Sequence, residues 1–203
     1  TGYPCIFGSS VKGPMRTLAE QKWAGPNKSL VEEIFGPNVE DSKTEDGFHA
    51  GALAVSDARL LLLPVRSLTS HFKWVTCPAI LRRWQADYRR LQMTKGGNHE
   101  FPLPEPKHDD IALVATAPNS NSGLFLEEFR FKAETDQDKL EKVIKQIIPL
   151  MGREDAETAL TKQLTVVSDD MFSHLAKYAT PVNAHIALNY ETKVVKPGAL
   201  WYE

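Results

Sequence analysis

The sequence predicts an α+β fold with a ferredoxin-like order of elements, and three observations lead to this prediction. Apolar residues recur at helical spacing after Gly8 and again after Pro78. Residues 51–68 contain two groups of β-forming residues separated by a polar break, which indicates two strands joined tightly. A further apolar run at 111–116 follows the second helix. Helix, strand, strand, helix and strand in this order match a β-α-β-β-α-β unit whose first strand is missing.

The first strand is central in such a sheet, so we expect its absence to leave an apolar edge unpaired within this chain. The chain starts at Thr1 without Met and stops at Glu203 inside an apparent strand. We therefore expect truncation at both ends, with the partner strand in sequence before Thr1. No linker or repeat divides the chain, and residues 1–203 are expected to form a single domain.

The remaining segments continue the alternation of helices and strands. Sequence patterning predicts a short helix at 29–35, longer helices at 78–93 and 138–151, and a helix that Ser168 caps and that ends near 178. It also predicts strands at 124–131 and 164–167 and a β-hairpin within 184–203.

The composition is that of an ordinary globular protein, with 42% hydrophobic and 25% charged residues among 203. A formal net charge of −2 excludes a uniformly basic nucleic-acid binder. No apolar run reaches the ~18 residues of a membrane span, so no membrane partner is expected. Two cysteines fit a reducing compartment and predict a cytoplasmic location. The six histidines have no His or Cys partner at zinc-ligand spacing.

The sharpest local feature is the segment GSSVKGPMR at 8–16. Ser9 or Ser10 can cap a helix, and Pro14 is comfortable only in a first turn. The helix is therefore expected to begin between Ser10 and Gly13.

Backbone N–H groups at a helix start favour an anion. Lys12 and Arg16 are four residues apart, so both can project along one helical face. Together with Ser9 and Ser10 they predict a phosphate site, although the Walker motif is absent. The alternative is a plain capped helix with solvated basic residues.

A second candidate site is the basic stretch 59–95, which carries eight Lys and Arg residues against one acid, a local net charge of +7. Arg82, Arg83, Arg89 and Arg90 fall on one side of its predicted helix. Such a stripe can track a phosphate backbone, which makes Arg82, Arg83 and Arg89 candidates for RNA contact. The alternative is a solvated helix face.

Four blocks of sequence, with two short segments after them, carry a resemblance to a known family. In order they are TGYPCIFGSSVKGPMR, GALAVSDARLLLLPVRSL, FKWVTCPAILRRW and TPVNAHIALN, followed by ETK and GALWYE. They resemble the RAMP superfamily and, within it, the backbone subunit of type III-B CRISPR effectors, which is subunit four of the Cmr complex. GSSVKG alone would indicate only the superfamily, including the type III-A counterpart.

The resemblance implies a modified ferredoxin-like (RRM-like) palm with a β-hairpin thumb, to which residues 184–203 would contribute. Copies of the subunit would stack as a helical filament on a CRISPR RNA, together with other Cmr subunits, and would kink the guide–target duplex at regular intervals. Lys12 and Arg16, with the Ser9-Ser10 turn, would hold the guide backbone, in agreement with the predicted anion site.

The resemblance also implies antiviral defence by a metal-dependent endoribonuclease, which would cut target RNA beside each kink with a divalent cation, Mg or Mn. The family's cleavage aspartate would precede Thr1, and ligands for the cation are not identifiable in this chain. Glu203, in the WYE block, is the one residue carried over as supporting cleavage, by helping to position a cation or water.

Two alternatives stay open at this point. One is a non-catalytic, RNA-coating scaffold subunit of a type III complex, with the type III-A counterpart included. The other, from a different class, is a small anion-binding enzyme that uses residues 8–16.

Overall fold

The structure is a computed structural model that describes residues 2–23, 28–37, 49–68, 70–92, 100–117, 123–180 and 182–202. It confirms a mixed α+β protein. The chain divides into two compact units, Tyr3–Leu60 (the N-terminal unit) and Leu61–Glu203 with Thr1–Gly2 (the C-terminal unit). That residues 1–203 form a single domain stays a prediction. In the described ranges, no helix combines the length and apolar character needed to span a bilayer.

The N-terminal unit contains two helices that pack on each other. Its elements are β1 (Cys5–Ile6), α1 (Gly8–Lys22), α2 (Lys28–Phe35) and β2 (Ala58–Arg59), and β1 pairs with β2 in antiparallel fashion. Ala19 of α1 and Val31 and Phe35 of α2 form a small buried cluster. The predicted short helix at 29–35 is thus confirmed, because its apolar residues face α1.

Helix α1 begins earlier than the sequence predicted. Its first residue is Gly8 and its N-cap is Phe7, so Ser9 and Ser10 lie inside the first turn and neither serine caps it. The backbone N–H of Gly8 instead donates to Oδ1 of Asp57 at 2.8 Å. The prediction of a later start is therefore wrong, because a residue distant in sequence supplies the acceptor expected from the serines.

The C-terminal unit is built around a six-stranded sheet in the order β3-β4-β8-β5-β7-β6. Its elements are β3 (Leu63–Ser67), β4 (His71–Thr76), α3 (Pro78–Gln92), β5 (Ile111–Val114), β6 (Leu124–Leu126), β7 (Phe129–Thr135), α4 (Gln137–Met151), α5 (Ala156–Gln163), β8 (Leu164–Val166), α6 (Asp169–Tyr178), β9 (Ala184–Leu188) and β10 (Val195–Tyr202). The two outer strands, β3 and β6, approach each other. Glu127, directly after β6, donates its N–H to the carbonyl of Arg66 in β3 at 3.0 Å. The sheet is therefore nearly closed.

Strand β8 changes the predicted topology. It lies between β4 and β5, where it pairs in parallel with β4 and in antiparallel fashion with β5. A ferredoxin-like unit would leave this position to its first strand. Since β4 and β5 each have two neighbours, the expected unpaired edge is not found between them, and the ferredoxin-like palm is not confirmed.

Helices α3, α4 and α5 contribute to one core of the C-terminal unit. Its buried residues include Leu81, Leu140, Val143, Ile144, Ile147, Leu160, Leu164 and Val166. Helix α6 begins as predicted, because Oγ of Ser168 accepts a hydrogen bond from the N–H of Met171 at 3.2 Å. Helix α5 was not predicted from the sequence.

Strands β9 and β10 form the predicted hairpin. Its cross-strand partners His185 and Trp201 stack, with ring centroids 5.6 Å apart. Apolar side chains are exposed along both strands, namely Ile186, Leu188, Val195, Leu200, Trp201 and Tyr202. Exposed apolar side chains in such number are typical of surfaces that bind a partner.

Candidate anion-binding surface

The first turn of α1 retains one backbone donor for an anion. The N–H groups of Ser10 and Val11 donate to the carbonyl of Phe7, at 2.9 and 3.2 Å, and that of Gly8 donates to Asp57. The N–H of Ser9 has no acceptor among the residues that the structure describes. Because the positive end of the helix dipole lies here, this N–H is placed to bind an anion.

The glycine at position 8 has a structural explanation that needs no ligand. A Cβ atom built on Gly8 would lie 2.3 Å from the carbonyl oxygen of Val55. Glycine is therefore required where this backbone segment crosses the start of α1. The same segment, residues 55–57, carries Asp57. The close approach at Gly8 therefore also places the carboxylate that accepts the N–H of Gly8.

The two cations predicted for this site differ in their contacts. Arg16 donates from Nε to Glu20 at 2.9 Å and from Nη1 to the carbonyl of Gly36 at 2.8 Å, which fastens α1 to the residue after α2. Lys12 is half-buried, and its ammonium forms no hydrogen bond or ion pair with any residue in the described ranges. Lys12 is thus the cation available to a ligand, whereas Arg16 is held internally.

The predicted arginine stripe on α3 is largely neutralised by acids from elsewhere in the chain. Arg82 pairs with Glu105 at 2.9 Å and with Asp169 at 3.1 Å, and Arg89 pairs with Glu100 at 2.8 Å. Exposed pairs of this kind contribute little stability, but they offset the positive field that the sequence suggested. RNA contact by Arg82, Arg83 and Arg89 stays a prediction.

A second long-range cap closes the start of α3. Oδ1 of Asp169 accepts a hydrogen bond from the N–H of Ala79 at 2.8 Å, across 90 positions of sequence. Nearby, burial raises the pKa of the Cys77 thiol to about 12, which makes it a packing residue. The roles of Asp57 and Asp169 cannot be predicted from the sequence, because no local pattern signals a cap supplied from so far away.

For the divalent cation that the family resemblance implies, the described residues contain no cluster of three or more protein ligands. Within those ranges, no group of three or more His, Cys, Asp or Glu side chains lies close enough together to hold a metal ion. Glu203, which was predicted to support cleavage, lies outside the described residues.

Comparison with known proteins identifies relatives along the whole chain. A family model described as the RAMP superfamily matches residues 1–203. The CRISPR system Cmr endoribonuclease Cmr4 of Pyrococcus furiosus is 34% identical over 208 residues, which cover 100% of this chain and 65% of that protein. The chain thus spans slightly less than two thirds of this relative.

Solved structures share the fold. Oligomeric Cmr4 from Pyrococcus furiosus has a TM-score of 0.70 at 30% identity, covering 89% of this chain and 64% of the other. A type III-B Cmr-beta complex bound to cognate target RNA contains a chain with a TM-score of 0.66 at 16% identity, covering 98% of this chain and 66% of the other. At that identity the second likeness shows the fold alone.

Proposed function

This chain belongs to the RAMP superfamily, and on that premise we propose that it is an RNA-binding backbone subunit of a type III-B CRISPR effector. The observation that carries the proposal is the 34% identity, along the entire chain, to a Cmr endoribonuclease. Its partners in this proposal are a CRISPR RNA, the complementary target RNA, further copies of itself and other Cmr subunits. Its compartment is the cytoplasm and its role is antiviral defence.

The start of α1 is the proposed contact with the guide backbone. Ser9 offers an unpaired N–H at the positive end of the helix, and Lys12 offers an ammonium less than one turn further along. The carboxylate of Asp57 already occupies the N–H of Gly8 and repels a phosphate there. We therefore expect the phosphate between Ser9 and Lys12, with Arg16 supporting the helix from its contact with Gly36.

The nearly closed sheet with its covering helices is proposed to act as the palm, and the β9–β10 hairpin as the thumb. The hairpin exposes apolar side chains on both strands, including Leu188 on β9 and Leu200 on β10. A two-stranded hairpin has little stability alone, so a partner surface that covers these side chains would stabilise it. In the proposed filament, that surface belongs to RNA or to another copy of the chain.

A non-catalytic scaffold is the second candidate function. The observation that favours it is that, within the described ranges, no group of three or more His, Cys, Asp or Glu side chains could hold a metal ion. In the first proposal, cleavage depends on groups outside those ranges, whereas in the second the chain only binds and orders the RNA.

Reconstitution separates these two functions. The chain is assembled with a CRISPR RNA and the other Cmr subunits, and complementary target RNA is added. Products at regular spacing would support the endoribonuclease, while retained but intact target would support the scaffold. If the chain fails to enter the complex or to retain the CRISPR RNA, both are wrong.

A further inference from the structure

We propose that Phe129, His174 and Tyr178, on β7 and α6, form a platform on which a base of single-stranded RNA stacks. This inference rests on the proposed RNA-binding function and assigns one contact within it.

The three rings form a continuous row. The ring of His174 lies between the other two, with its centroid 5.0 Å from that of Phe129 at an interplanar angle of 84°. The centroid of Tyr178 lies 4.7 Å from that of His174 at 45°. Tyr178 is the last ring of this row and is 72% exposed. The row therefore presents an aromatic ring to solvent, with two further rings behind it.

Polar groups lie on the same face of α6 as this aromatic surface. His174, Lys177 and Tyr178 have i, i+3 and i+4 spacing, so they share one face of α6. Within the described part of the chain, the imidazole nitrogens of His174, the ammonium of Lys177 and the hydroxyl of Tyr178 form no hydrogen bond or ion pair. The opposite face carries the core contacts of α6, through buried Phe172 and Leu175.

This combination fits a nucleotide better than an apolar protein surface. A protein that covered the ring of Tyr178 with apolar side chains would also desolvate a phenol, an imidazole and an ammonium without partners, which is costly. A nucleotide stacks on the ring, offers hydrogen-bonding groups on its base and brings a phosphate for the ammonium. Stacking on aromatic side chains together with nearby cations is the usual chemistry of single-strand recognition.

The test measures binding of the full chain to two probes of equal length, oligouridine RNA and an oligomer with the same sugar-phosphate backbone but no bases. Tyr178→Ala is expected to weaken oligouridine binding by about 5- to 150-fold, the range found for loss of one stacked base. Binding to the abasic oligomer should stay unchanged. Tyr178→Phe retains the ring and should bind oligouridine nearly as well as the wild type.

Leu150→Ala is the matched control, because Leu150 is an exposed apolar residue (61%) on α4, outside the platform. It should leave both affinities unchanged, and thermal unfolding should show that every variant is folded. Equal oligouridine affinity of Tyr178→Ala and the wild type would overturn the platform alone. Equal losses on both probes, or an effect confined to self-association, would also overturn it. Absence of RNA binding by the wild type would overturn the proposed function and the platform with it.

Discussion

The carboxylate of Asp57 caps helix α1 from outside the helix, accepting a hydrogen bond at 2.8 Å from the backbone N–H of Gly8, 49 positions away. The contact satisfies one of the unpaired donors of the first turn and places a negative charge at the positive end of the helix. It also restricts the proposed phosphate contact, because the donor nearest to Asp57 is already taken. The candidate site therefore begins at Ser9.

Replacing Asp57 tests this cap. Asp57→Ala should lower the free energy of unfolding by about 1 kcal/mol, the usual cost of losing a capping side chain. Asp57→Asn keeps a neutral acceptor of the same shape and should retain most of the stability. Urea denaturation of the three proteins measures the difference. Equal stability of Asp57→Ala and the wild type would show that the contact does not hold α1 in place.

Lys12→Ala tests the proposed phosphate contact. The variant should bind CRISPR RNA more weakly, and the slope of log affinity against log salt concentration should fall by about 1, as expected for one lost phosphate contact. Lys145→Ala is the matched control, because Lys145 is an exposed lysine on α4, an element of the other unit. An unchanged affinity and slope in Lys12→Ala would exclude a phosphate role for this residue.

Lys73 should give a measurable dependence of stability on pH. Its side chain is buried, its ammonium donates to the carbonyl of Lys162 at 2.7 Å, and burial lowers its pKa from the ordinary 10.5. Between the lowered pKa and 10.5 the unfolded chain binds more protons than the folded chain, so this group makes stability rise with pH. Below the lowered pKa both states are protonated and the contribution is constant.

Lys73→Met removes the titration while keeping an unbranched stem. Unfolding of both proteins in urea, from about pH 8 to about pH 10.5, should show the variant losing stability relative to the wild type as pH rises. A difference that stays constant across this range would mean that the pKa of Lys73 is not lowered.

The two cysteines should differ in reactivity. Cys5 is exposed, whereas Cys77 is buried and its pKa is raised to about 12 by that burial. Near neutral pH, a thiol-reactive disulfide reagent should modify Cys5 rapidly and Cys77 only after unfolding. The Cys5→Ser variant isolates the second thiol, and rapid labelling of that variant in the folded state would contradict the buried position.

Elements defined by their own side chains could be predicted from the sequence. The helix at 138–151 and the Ser168 cap have local signals, and both are confirmed. The position of β8 could not be predicted, since a three-residue strand gives no information on its neighbours. The ferredoxin-like fold was predicted only from the order of helices and strands along the chain. That order does not indicate that β8 lies between β4 and β5.

The candidate site was predicted only in part for the same reason. The segment 8–16 indicated a helix start with basic residues, and Ser9 and Lys12 remain available there. The contacts that modify it come from Asp57 and Gly36, which no local spacing connects to α1. Likewise, a local charge of +7 on 59–95 did not reveal that acids such as Glu100 and Glu105 would pair with the arginines.

The central claim is that this chain is a repeating RNA-binding subunit. Native mass spectrometry of the purified chain mixed with a CRISPR RNA tests it most directly, because the mass counts the copies on each RNA. A repeating subunit should give several copies per RNA, in a number that grows with RNA length, and Lys12→Ala should lose these complexes at moderate salt. A single copy at every RNA length, or RNA-free protein throughout, would contradict it.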